Sequence, residues 1–129
     1  MGSPNSSGSF DFYGKYFSPG QVSIVDSTIS KNSASLGGGL FNDGAFTVEN
    51  TTISGNKSDN DGGGIFNSAG WSDYYGHYLP GGDLSLVDST ITQNRAKDSG
   101  GGLVNYGSLN ISNSVISGNK ASIGVDVFP

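Results

Sequence analysis

The chain has one histidine, His77, and one arginine, Arg95, and it has no cysteine. Disulfides and thiolate metal sites therefore drop out. A polysaccharide lyase needs a base and a cation to neutralise a uronate. A glycoside hydrolase needs two carboxyl groups roughly 5 to 9.5 Å apart. The best catalytic set on offer is Asp73, Tyr75, His77 and Tyr78, crowded into one short segment. A sister segment carries Lys15 where this one carries His77. No nucleophile motif, phosphate loop or metal cluster accompanies it. Asp59-Asn60-Asp61-Gly62 sets oxygen ligands in a turn but lacks the rest of a calcium loop and its distal Glu. Asp59 and Asp61 are thus the only metal candidates, and no cofactor is expected. On balance the chain reads as a non-enzyme.

Aromatic residues offer a different chemistry. Phe12, Tyr13, Tyr16 and Phe17 crowd one segment, and Trp71, Tyr74, Tyr75, His77 and Tyr78 crowd another. The two are copies: Asp11–Val22 aligns with Asp73–Leu84 at an offset of 62. Aromatic faces beside Asp11, Asp73 and Asp83 suit sugar rings, and equally a protein partner. They also suit folding back as cover over an end or face of the domain. Lys57, Arg95 and Lys120 form a basic column near Asp59, Asp61, Lys97 and Asp98, read as a solvated face of ion pairs each contributing below ~1 kcal/mol.

The elements that hold these residues come from a repeat. Val22–Ile29, Phe46–Ile53, Leu84–Ile91 and Leu109–Ile116 align, and each is followed by an asparagine: Asn32, Asn56, Asn94 and Asn119. The first three continue through a triple glycine and an aliphatic residue to Asn42, Asn67 and Asn105. The asparagines are spaced 24, 38 and 25 residues apart, so a period of 24 to 25 is interrupted once, by an insertion at 71–82. The unit of 62 to 63 residues is itself duplicated. Each copy alternates apolar and polar residues over short runs broken by Gly, Asn and Ser, a strand pattern and not a helical one. Strands this short cannot bury a face alone, so the windings must stack into three parallel sheets about one core.

The predicted inward columns are Val22/Phe46/Leu84/Leu109, Ile24/Val48/Leu86/Ile111, Ile29/Ile53/Ile91/Ile116 and Leu40/Ile65/Leu103/Val125. Asn32/Asn56/Asn94/Asn119 and Asn42/Asn67/Asn105 are expected to form amide ladders, each amide offering a donor and an acceptor to its neighbours. A further column, Asp26/Asn50/Asp88/Asn113, alternates acid and amide and so avoids stacking like charges.

Gly62-Gly-Gly-Ile65-Phe-Asn67 together with Val48-Glu-Asn-Thr-Thr-Ile-Ser-Gly-Asn56 resembles right-handed parallel β-helix repeats of bacterial surface proteins, above all polymorphic outer-membrane-protein repeats. The resemblance implies right-handed winding and an extracellular or cell-surface setting. The expected fold is thus an all-β right-handed parallel β-helix of about four coils, starting near 22, 46, 84 and 109, with projecting aromatic loops. Residues 1–9 read as a flexible lead-in to a single domain over 10–129, with no signal peptide in the chain.

Composition agrees. Gly is 22 of 129 residues, 33% are apolar and 13% charged, too lean for a conventional core and too weakly charged for a disordered chain. A net charge of −5 argues against nucleic acid, and no apolar run approaches the ~20 residues of a membrane-spanning helix. The expected function is a structural or binding module of the cell surface, its partner a surface glycan or protein, or itself through its ends or aromatic loops. The alternative is a polysaccharide-binding or polysaccharide-degrading protein.

Overall fold

The structure, a computed structural model, describes residues 4–5, 9–10, 16–17, 21–72, 74–79 and 81–128. Every described element is a β-strand. Gln21–Val25, Ala45–Glu49, Asp83–Val87 and Ser108–Ser112 form one parallel sheet. Its register aligns Val22, Phe46, Leu84 and Leu109, and likewise Ile24, Val48, Leu86 and Ile111. A second parallel sheet joins Thr28–Ser30, Thr52–Ser54, Thr90–Thr92 and Val115–Ser117, stacking Ile29, Ile53, Ile91 and Ile116. A third runs through Leu40–Asn42, Ile65–Asn67, Leu103–Asn105 and Val127–Phe128. This is the parallel β-helix expected from the sequence.

The core is the set of stacked columns. Leu40, Phe46, Val48, Ile53, Ile65, Leu84, Leu86, Ile91 and Leu103 are buried together. β-Branched and aliphatic side chains suit this environment because they pack on a pleated, half-buried surface with little χ1 freedom to lose.

Four features differ from the sequence reading. Leu103 pairs with Val127, not Val125. Gly124 has φ 58° and takes the place of Gly37, Gly62 and Gly100, whose φ values are 61°, 68° and 61°. Val125 and Asp126 therefore fill the places of the second and third glycines, which pushes the aliphatic position to Val127. A fourth parallel sheet, Ser33–Leu36, Lys57–Asp61 and Arg95–Ala96, lies between the second and third. Its inward side chains are small, Ser58 and Ala96, so it lacks the large alternating residues that mark the other strands. Pro4–Asn5, placed by sequence in a lead-in, pairs in parallel with Phe41 and Asn42. Asn5 thus stands to Asn42 as Asn67 stands to Asn105, and the longer repeat reaches further towards the N-terminus than the alignment from Asp11.

The fourth difference is the insertion: expected at 71–82, it begins after Ser68 and ends before Gly82, where the Gly82 amide donates to the Ser68 carbonyl at 2.9 Å. Asn67-Ser68-Gly82-Asp83 then matches the uninterrupted Asn105-Tyr106-Gly107-Ser108.

Candidate functional site

The inserted segment folds as an antiparallel hairpin, with Trp71 opposite Leu79 and Ser72 opposite Tyr78. Its sister pairs Ser9 with Phe17 and Phe10 with Tyr16. Subtracting 62 from the first set of numbers gives the second, so the duplicated segments share one backbone register. Gly76, at φ 82°, supports the turn. Tyr74 and Tyr75 occupy this turn and are 96% and 82% exposed. Their rings meet edge to face at 5.5 Å. His77 follows and is half-buried. Only the backbone of Tyr16, Phe17, Trp71 and Tyr78 is described, and Phe12, Tyr13 and Asp73 lie outside the described residues. Of the suggested catalytic set, Tyr75 and His77 are therefore the members with described side chains.

Asp59 and Asp61 are not gathered into a cation site. The Asp61 carboxylate accepts the Ser99 backbone amide at 3.0 Å, which ties one winding to the next. Among the described residues no three acids or histidines come together.

Ladder residues sit inside the stack. Asn32, Asn56 and Asn94 each donate their side-chain amide to the Oδ1 of the next asparagine, at 3.1, 2.9 and 3.0 Å. The same oxygen also accepts the donor residue's backbone amide, at 3.0, 3.0 and 2.9 Å. The second amide hydrogen of Asn56 and Asn94 reaches back to the Ile29 and Ile53 carbonyls. On the third sheet, Asn42 donates to Asn67 at 2.8 Å and Asn67 to Asn105 at 2.7 Å. The acid–amide column resolves into two pairs, Asn50 donating to Asp26 and Asn113 to Asp88, each at 2.6 Å. All four of these residues have φ between 46° and 53°, a conformation that Asn and Asp tolerate better than other side chains with a Cβ. No buried side-chain polar atom among the described residues lacks a partner. These side chains are committed to holding the windings together.

Three structural sites escape a reading of the sequence. Ser27, Thr51, Ser89 and Ser114 form a hydroxyl ladder: Thr51, Ser89 and Ser114 each accept the backbone amide of the preceding member, at 3.2, 3.1 and 3.0 Å. All four donate to the carbonyl two residues upstream. Their spacing of 24, 38 and 25 residues equals that of the asparagines and was the available signal. Tyr106 is the second. Phe41 and Phe66 stack at 5.3 Å with rings nearly parallel, and Val104 stands where the next ring belongs. Tyr106 meets Phe66 at 5.8 Å and Phe128 at 6.2 Å, carrying the aromatic column past Val104, which is fully buried. Stacking directs the Phe41 and Phe66 faces at each other, so this column acts as a seam, not as a platform.

Asp126 is the third. A Cβ on Gly39, Gly64 or Gly102 would meet the side-chain amide nitrogen of Asn56, Asn94 or Asn119 at 3.0, 3.0 or 2.7 Å. Asp126 holds the corresponding position beyond Gly102, and its carboxylate accepts both the backbone and the side-chain amide of Asn119 at 3.0 Å. An acid in the glycine position thus supplies the oxygen that a further asparagine would have supplied.

Residues 50–68 match the family model of the Chlamydia polymorphic membrane protein (Chlamydia_PMP) repeat. The matched stretch runs from Asn50 through Asn56 and the triple glycine to Asn67 and Ser68, so it holds one member of every ladder described above. No curated protein and no solved structure matches the chain.

Proposed function

We propose that the chain is a non-enzymatic binding module of a bacterial cell surface, that its aromatic hairpins make the contact, and that sugar rings are the ligand class they suit. The repeat match supports the surface setting, because the matched repeat is that of a membrane protein family. One observation carries the contact reading: Tyr74 and Tyr75 stand almost wholly in solvent at a hairpin tip. Side chains that served as cover would be buried against the domain. An exposed aromatic pair instead presents ring surface on which a sugar can stack. Self-association through the end that carries Asp126 is disfavoured, since the acceptor position of the ladder is already filled there.

The test is a glycan array read with the intact protein and with the double variant Tyr74→Ala/Tyr75→Ala. The reading expects saturable binding to at least one glycan that falls about tenfold or more in the variant, as loss of two stacking contacts implies. Unchanged binding removes the hairpin as the contact. Release of new reducing ends or unsaturated uronates, abolished by His77→Ala, would replace this reading with catalysis.

A further inference from the structure

The fourth sheet carries a shallow cleft of about 530 Å³ on its outer side. Lys57 pairs with Arg95 and Arg95 bridges to Lys120, so three cations stand one above another on successive rungs. Lys97 joins them, with Asp59 the one acid in the lining. Four of the six cations of a chain with net charge −5 thus face one cleft. The sequence reading expected ion pairs here. Among the described residues no carboxylate lies within ion-pair distance of Lys57, Arg95 or Lys120.

Like charges on facing rungs of a ladder destabilise it. The same chain avoids this at another corner, where Asn50 lies on Asp26 and Asn113 on Asp88. Neutral residues at the Arg95 position would cost the fold nothing visible, because Arg95 is exposed and makes no side-chain hydrogen bond among the described residues. A column of uncompensated cations at ~4.8 Å intervals is a template for an anion that repeats along the helix axis.

We propose that this cleft binds a linear anionic polysaccharide, laid along the axis with its carboxylates or sulfates over Lys57, Arg95 and Lys120. One charge per sugar matches one cation per rung, while Ser122 and Asp59 are placed to meet hydroxyls at the same surface. The strongly negative remainder of the molecule repels a more densely charged polymer such as nucleic acid. This site stands apart from the hairpins and does not depend on them.

The experiment is titration of the intact protein with polygalacturonate oligomers, neutral dextran and oligo-dT at low ionic strength, using Lys57→Gln/Arg95→Gln/Lys120→Gln, Lys31→Gln and Tyr74→Ala/Tyr75→Ala as variants. The expected result is binding of the uronate oligomers alone, stronger for trimers than for monomers. The cation variant should bind about tenfold or more weakly, with a shallower salt dependence, and Lys31→Gln, which neutralises an exposed cation outside the cleft, should bind as the parent does. The cation variant should also melt no lower than the parent, since it relieves repulsion. Absence of uronate binding, binding untouched in the cation variant, or tighter binding of oligo-dT would each overturn the proposal. Loss confined to the tyrosine variant would reassign the ligand to the hairpin.

Discussion

Single residues decide how the stack closes. Asn119 is nearly fully buried, and both of its ladder donors end on Asp126 Oδ1. Removing that oxygen leaves the Asn119 backbone amide without its acceptor and the side-chain amide with only the Ile91 and Ser117 carbonyls, so Asp126→Ala should lower stability by about 1–3 kcal/mol in a denaturant titration. Asp126→Asn keeps the accepting oxygen and should fall within about 1 kcal/mol of the parent. Equal losses in the two variants would show that the carboxylate acts through its charge and not as a rung. Nothing in the local sequence Gly124-Val-Asp-Val-Phe128 marks this role, because it depends on an oxygen arriving where another winding would have placed one. The asparagines were legible for the opposite reason. Their function needs identical neighbours, so it writes itself into the chain as a fixed spacing.

At the level of elements, the stacked sheets were readable wherever large apolar residues alternate, and unreadable where the inward residues are small. Ile29, Ile53, Ile91 and Ile116 announce their strand, whereas Ser58 and Ala96 announce nothing. The outer aromatic seam shows a similar limit. Val104 breaks the column in sequence, and the repair comes from Tyr106, two residues on, whose ring bridges Phe66 and Phe128. Tyr106→Ala removes two edge contacts and uncovers Val104. It should cost about 1–3 kcal/mol, seen as a lower melting temperature with unchanged far-ultraviolet circular dichroism. A melting temperature equal to the parent's would mean that the seam is ornament to the fold.

Taken whole, the molecule separates a stack that is saturated with its own hydrogen bonds from the elements that face outward. The hairpin leaves and rejoins the stack at a point already closed by the Gly82 to Ser68 hydrogen bond. Excising residues 69–81 should therefore restore the uninterrupted period, keep the parallel stack and shift the melting temperature by no more than a few degrees, while abolishing any binding that depends on Tyr74 and Tyr75. Collapse of the excised protein would show that the hairpin props the stack. The duplicated hairpins were visible in sequence as an offset of 62, but their antiparallel register and the exposure of Tyr74 were not, since neither leaves a periodic trace.

The amide-to-amide bonds and the backbone-to-hydroxyl bonds of the two ladders share a direction: in them each winding donates to the next and accepts from the one before. Such a stack has an arrow. A further 62-residue copy spliced in ahead of Gly124 would meet waiting partners on both flanks, so gene duplication can lengthen the protein from within. A copy added past Asp126 would find the Asn119 donors already taken by that carboxylate, and lengthening there calls first for a return to glycine.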